Sequence, residues 1–369
     1  VPRCKMSCRG SGAGTSTKET SPSAHTLSSR SMLSQSQRAT LQRARSLGTG
    51  GQGVALTDEE CVALLAITLA DLGHEDAVPN TARSLPRFFQ AHPVNSLRVE
   101  GIELESFYET ALAADPDVDT YFLCLARLHK SRKKYERIVA TQPLATMDQV
   151  GPRALLQFGS LPDRELAALL VWRKWLFDLD NRAAQETGYL FEPIIASAIG
   201  GVPASPRSSP VKRHADGTKG RQVDCIRDTD AYEFKIRVTI AASGQGRWQE
   251  EIDFAVDCRS SGFRPVLVVL DPTPNPRLRD LKTAFTQAGG IAYIGNEAWD
   301  HLESVAGASM ATFLENYVRK PLDGLLRDAP AELPDLQLNL TAEAVIFRIG
   351  KVELGSPRLD SHQGPPADE

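Results

Sequence analysis

An α/β fold preceded by a helical region is what this sequence predicts, and three observations predict it. Apolar residues recur at helical spacing from Leu56 to about Asp180. Two runs of β-strand character, "RQVDCI" and "AYEFKIRVTIA", then stand close together between helical stretches. The apolar run "RPVLVVLD" follows, short enough to be a buried strand. Helix, paired strands, helix and buried strand, in that order, read as a layered α/β sandwich.

The chain has 369 residues, 41% hydrophobic and 24% charged, enough for one large or two modest domains. Its formal net charge of -4 excludes a generic polycation, so any contact with nucleic acid has to be made through a local patch. The six cysteines, at positions 4, 8, 61, 124, 225 and 258, form no CxxC pair and no Cys/His zinc spacing. They read as free thiols of a reducing cytoplasm. No apolar run approaches the roughly 20 residues needed to span a bilayer, and the N-terminus lacks the apolar core of a secretory signal. The expectation is a cytoplasmic protein with no membrane contact.

Residues 1–55 are rich in Ser, Gly, Thr and Arg and are expected to be a disordered basic extension, because they hold few large apolar residues to offset chain entropy. In the helical region, 56–180, "LTDEECVALLAITLADLG" opens with Thr57 as N-cap and Glu60 three residues on, a capping box, and stops at Gly73. "GIELESFYETALAA" and "VDTYFLCLARLHKSRKKYERIVATQ" are further helices. The second carries Arg127, Lys130, Arg132, Lys133, Lys134 and Arg137, either a solvated helix face or a row of phosphate contacts.

The style changes after Asp180, and residues 181–325 read as a separate catalytic unit. "NRAAQETGYLFEPIIASAIGG" is an amphipathic helix ended by Gly200-Gly201, and a Pro/Ser/basic loop follows over 202–220. The two strand-like runs, joined by "RDTD", suit a hairpin. "RWQEEIDFAVDCRSSG" is a helix, "NPRLRDLKTAFTQAGG" another with a glycine stop, "IAYIG" a short strand and "NEAWDHLESV" the start of one more helix. From 326 to 369 the chain adds "LQLNL" and "EAVIFRIGKVEL", a small β addition, and a polar tail.

Three charges interrupt the strand-like runs: Asp224, Glu233 and Lys235. Strand interiors usually avoid such residues. Residues two apart on a strand share a face, so Glu233 and Lys235 point one way while Phe234 and Ile236 point the other. If the runs pair, Asp224 lies beside Glu233, and two carboxylates and an ammonium converge. Paired carboxylates repel each other unless a cation neutralises them. Hard oxygen ligands in a partly open site suit Mg²⁺, which keeps several waters and binds phosphate oxygens. A lysine beside them can orient the attacking water and offset transition-state charge. The set is what phosphodiester hydrolysis needs; a solvated surface pair is the alternative.

On these residues the sequence resembles the PD-(D/E)XK nucleases, home of most type II restriction endonucleases. The motif acids map to Asp224 and Glu233 and the motif lysine to Lys235, while Val223 stands where the motif has Pro. In many members a Glu on the preceding helix assists the metal site; "GYLFEPIIASAIGG" makes Glu192 the match, with Glu186 second. More narrowly, "EFKIRVTIAASGQGRWQEE" is similar to the corresponding stretch of the ApaLI-type restriction endonucleases. The resemblance implies a PD-(D/E)XK αβββαβ core behind an N-terminal helical region. It also implies Mg²⁺-dependent cleavage of double-stranded DNA at a palindrome of the GTGCAC kind, with a cognate DNA methyltransferase as system partner. Cutting both strands of a palindrome calls for two sites, so a homodimer is expected by symmetry, with the helical region supplying dimer contacts, DNA backbone contacts, or both.

After the motif, Gly244 and Gly246 let backbone approach a ligand closely. Gln245 and Arg247 are able to make bidentate base contacts, or they belong to a flexible helix-capping loop. Arg237 and Ser243, on the same exit from the strand, complete the set expected to touch DNA. Trp248 reads as core packing, Gln249, Glu250 and Glu251 as helix-opening residues suited to the dipole, with a weaker ligand role open to Glu250. A related repair or mobile-element nuclease, and an inactive DNA-binding protein on the same fold, are the alternatives.

Overall fold

The computed structural model describes residues 33–47, 53–90, 93–236, 245–274, 276–341 and 343–358, with backbone alone at 245–247. The helical region begins earlier than expected. Helix α1, Gln35–Arg45, lies inside the stretch read as a disordered extension and opens with a Ser34–Gln37 capping box. Its Leu41 and Ala44 are buried, and Lys130 donates to the carbonyls of Arg43 and Ser46 at its end. Two well-placed apolar residues and a captured C-terminus suffice to hold a short polar helix that composition alone would leave unfolded.

Helix α2, Asp58–Asp71, has the Thr57–Glu60 capping box read from the sequence, and Gly73 behind it takes φ 81°. Helices α3 (Leu104–Ala114) and α4 (Val118–Thr141) follow, then the single turn α5 (Met147–Val150). The cationic row of α4 is engaged internally. Arg127 donates to the Pro193 carbonyl, Arg132 to that of Phe88 and Arg137 to that of Gly53, while Lys133 and Lys134 pair with Glu60 and Glu186. These cations tie the helical region together, which removes the ground for reading them as a phosphate row.

Helix α6, Asp163–Ala198, is a continuous 36-residue rod. It runs straight through the boundary at 180/181, so the change of style in the sequence marks a change of neighbour along one helix. The N-terminal half packs with the C-terminal meander, where Trp175 and Leu179 meet Val345. The C-terminal half packs on the sheet through Ile194, Ile195 and Ile199, in a core shared with α2, α3 and α4. Gly200, at φ 70°, turns the chain out of the helix, and a Cβ on Gly201 would sit 2.1 Å from the Cys225 sulfur.

A five-stranded sheet forms the centre, in the order β1-β4-β5-β6-β7. Its strands are β1 (Val202–Ala204), β4 (Val223–Arg227), β5 (Asp230–Lys235), β6 (Arg264–Val269) and β7 (Ile291–Ile294). The "loop" between β1 and β4 contains a two-stranded ribbon, β2 (Lys212–Arg213) and β3 (Asp216–Gly220). The expected hairpin forms: β4 and β5 are antiparallel, with Arg227 opposite Asp230 and Asp228 at φ 53° in the turn. Beyond it β5, β6 and β7 are parallel, joined by helices α7 (Gln245–Ser260) and α8 (Pro276–Gln287). Those helices cover the second face through Phe254, Cys258, Leu281 and Phe285.

Helices α9 (Asn296–Val305), α10 (Ala308–Leu314) and α11 (Lys320–Asp328) complete the α/β unit. The C-terminal β addition is an antiparallel meander of β8 (Leu336–Leu340), β9 (Ala344–Ile349) and β10 (Val352–Pro357). No helix among the described residues is long and apolar enough to cross a membrane.

Candidate active site

The hairpin register settles where the three charges go. Cys225 faces Tyr232, so one more residue along each strand sets Asp224 opposite Glu233. Tyr232 and Phe234 drive into the core shared with α6. Glu233 and Lys235 point the other way, toward α7. That face is covered too: the Glu233 and Lys235 side chains retain only 19% and 25% of their exposure, which sets them apart from a solvated surface pair.

Lys235 Nζ lies 2.7 Å from Glu233 Oε1 and 3.5 Å from Glu251 Oε1. One Asp224 oxygen accepts the Phe234 backbone N–H at 2.9 Å, which fixes the carboxylate against the neighbouring strand. Burial pushes the Asp224 carboxyl well above its ordinary pKa, and the charges of Glu233 and Glu192 push it the same way. Glu192 is raised by burial first and by Glu233 second. For Lys235, burial opposes the ammonium, but Glu233 and then Glu251 outweigh it and its pKa rises. Four carboxylates therefore crowd one ammonium: Glu192 from α6, Asp224 from β4, Glu233 from β5 and Glu251 from α7.

Of the two helix acids considered, Glu192 is the one that joins the cluster; Glu186 is 2.7 Å from Lys134 in the helical region. Helical phase explains it. Glu192 heads the stripe Ile195, Ala196, Ile199 that faces the core, all three buried. Glu251 was missed as a site residue, and the same rule finds it: it heads the buried stripe Phe254, Ala255, Cys258 on α7. Glu250, one position and about 100° away, faces Arg213 at 3.1 Å instead. Trp248 packs against the second core with the Arg277 guanidinium over its ring. Arg237, Ser243 and Gly244 lie outside the described residues, as do the side chains of Gln245 and Arg247.

Among the described residues no group of three or more His, Cys, Asp or Glu side chains is placed so that it could hold a metal ion. The donor set still suits a hard divalent cation that keeps most of its water. Asp224 resists ionisation where it stands, and Glu251 Oε2 is buried with no hydrogen-bond partner. Added positive charge would relieve both.

A family model described as ApaLI-like restriction endonuclease matches residues 81–319. The type II restriction enzyme ApaLI of Acetobacter pasteurianus is 49% identical over 268 residues, 68% of this chain and 72% of its own length. No solved structure matches. The chain belongs to the ApaLI-like restriction endonuclease family.

Proposed function

We propose that the protein is a type II restriction endonuclease that hydrolyses phosphodiester bonds of double-stranded DNA at a palindrome, GTGCAC or close to it, with Mg²⁺ as cofactor. The observation that carries the site assignment is the meeting of Asp224, Glu233 and Lys235 at one end of the β4–β5 hairpin, half-buried and within one another's electrostatic reach. The order α6, β1, β4, β5, α7, β6 supports the PD-(D/E)XK reading.

In this reading Asp224 and Glu233 would hold the metal and Glu192 would support it. When bound, Mg²⁺ supplies a Lewis acid that lowers the pKa of water and neutralises charge on the phosphoryl group. The Phe234 N–H keeps the Asp224 carboxylate aimed in one direction. Lys235, drawn into place by Glu233, orients the attacking water and stabilises the charge that develops on the non-bridging oxygens. Glu251 acts through Lys235: as a second carboxylate on the ammonium it limits the rotamers that Lys235 can take. Gln245, Arg247, Arg237 and Ser243, on the segment that follows, are the proposed DNA-contact residues.

A palindrome carries the same scissile bond on both strands, so two copies of the site are needed, and we expect a homodimer whose two-fold axis coincides with that of the target. A chain with this activity, working in the cytoplasm beside the cell's own DNA, requires that DNA to be modified; a cognate methyltransferase is the proposed system partner. The test is digestion of a plasmid with one GTGCAC site, with MgCl₂ and with EDTA. Linearisation at that site with metal alone is expected. Intact plasmid, or cuts at unrelated sequences, would refute the assignment.

A further inference from the structure

A cluster of four carboxylates around one lysine repels a polyanion, and the whole chain is acidic as well, at -4. Basic side chains on an element that starts from the same end of the sheet would offset that repulsion for the duplex on either side of the cluster. The connection from β1 to β4 has the position for it. Ala204 pairs with Val223, so this connection leaves the sheet and re-enters it beside Asp224. Residues 205–222 carry five basic side chains, Arg207, Lys212, Arg213, Lys219 and Arg221, against the single acid Asp216.

The segment is built as a rigid arm. Lys212 pairs with Gly220 and Arg213 with Asp216 in the β2–β3 ribbon. Val211 is fully buried in the second core. Asp257 of α7, itself 1% exposed, accepts the His214 N–H at 2.7 Å and the Arg221 guanidinium at 3.0 Å. Ser261 Oγ accepts the Lys212 N–H at 2.8 Å. Gly220 lies so close to the turn before the ribbon that a Cβ there would be 2.0 Å from the Pro206 carbonyl oxygen. Arg221 also donates to the Glu250 carbonyl, and Glu250 holds Arg213. Glu250 is the chain neighbour of Glu251, which contacts Lys235.

The cations divide in two. Arg221 and Arg213 anchor the arm to α7. Arg207, Lys212 and Lys219 are exposed; Lys219 keeps 71% of its side-chain surface beside Asp216, and the other two have no ion pair among the described residues.

We infer that the 205–222 ribbon is a DNA arm whose exposed Arg207, Lys212 and Lys219 bind phosphates of the duplex flanking the scissile bond. A pre-ordered arm binds without ordering entropy at contact, and lysines on an exposed ribbon bind phosphate as point charges and carry no base code. The inference rests on duplex DNA being the substrate.

The test is the triple variant Arg207→Ala/Lys212→Ala/Lys219→Ala in the full chain. Its binding to a GTGCAC duplex and to a random duplex is measured by anisotropy from 50 to 200 mM NaCl, with Ca²⁺ replacing Mg²⁺. About three lost phosphate contacts reduce the log–log salt slope by roughly 2 to 3 and weaken both duplexes about 10- to 100-fold at moderate salt. Single-turnover cleavage at sub-saturating enzyme slows by about the factor by which binding weakens. An unchanged slope and affinity would overturn the inference, and so would a loss confined to the GTGCAC duplex, which would make the arm a base reader. Failure of the unsubstituted chain to cut any duplex would instead sink the nuclease reading, and the arm's role with it.

Discussion

Replacing Lys235 by methionine keeps the length and most of the volume of the side chain and deletes its charge. At an effective dielectric of about 20, unit charges at the observed 2.7 Å and 3.5 Å attract by about 6 and about 5 kcal/mol. Desolvation of the ammonium cancels a large share of that, and removing one partner of a buried pair costs about 3–5 kcal/mol in measured cases. With 25% of the Lys235 side chain still exposed, the low end applies, about 3 kcal/mol. In a chain of this length that lowers the melting temperature of the metal-free protein by about 5 °C. Cleavage falls by a larger factor, about 10²–10³, the usual loss when one transition-state donor is removed. The assays are thermal unfolding in EDTA and single-turnover cleavage in Mg²⁺. Lys235→Arg separates the two effects: it restores charge and stability, while its planar fork, unable to reproduce a compact ammonium, leaves cleavage impaired. A methionine variant that melts and cuts like wild type would refute both the clamp and the catalytic role.

Two further outcomes concern the same cluster and a third the cap of α2. Asp224→Asn is expected to abolish cleavage and to leave the metal-free protein at least as stable as wild type. Because the folded Asp224 pKa is raised, wild type gains stability as pH falls from neutrality toward 4; the variant should lose that slope, and its melting temperature should stop responding to Mg²⁺. Glu251→Ala should lower kcat about 10- to 100-fold with little change in KM, as loss of a supporting residue does, whereas Glu250→Ala leaves kcat intact; equal kinetics for the two would refute the assignment. Glu60, which accepts the Thr57 N–H at 2.9 Å and pairs with Lys133, is held down to about 2 by its contacts with His129, Lys133 and Thr57 against the effect of burial. Its contribution is present above about 4.5 and lost as pH falls toward 2, so Glu60→Gln should cost about 3 kcal/mol at pH 7 and flatten the acid limb of a denaturant-melt series.

How much was legible depended on whether a residue's role is set locally. The Thr57–Glu60 cap, the "RDTD" turn and the buried β6 run follow from short-range rules, and each forms where the sequence puts it. The pairing of Asp224 with Glu233 needed only the hairpin and a period of two. The ribbon at 212–220 has no sequence signal, because its strands are two and five residues long with no alternating apolar pattern; it is held by the buried Val211 and by Asp257 and Ser261, some 40 residues on. The helix at 35–45 is invisible to composition, which averages over a few decisive apolar positions. Glu251 was hidden among three consecutive polar residues, and only the phase of its helix distinguishes it from Glu250.

The charges in β5 are tolerable because of where the strand ends. Two residues earlier on the same face, Ala231 is fully buried; a carboxylate there would have no water and no cation within reach. At Glu233 and Lys235 the parallel strands β5 and β6 reach their carboxyl ends, where α7 begins and the layers open, the place at which open α/β sheets bind ligands. Each element that arrives there brings one part: α6 brings Glu192, the hairpin Asp224, β5 the Glu233–Lys235 pair. Helix α7 brings three parts on two sides, since Glu250 and Asp257, seven residues apart, share a face. Glu251 points into the cluster, Glu250 out to the ribbon, and Asp257, two turns on, anchors the ribbon's base. A single rigid helix thus fixes the distance between the residues proposed for chemistry and the cations proposed to hold the duplex. Any change that shifts α7 along its axis should therefore disturb cleavage and binding together, while substitutions on one of its faces disturb only one.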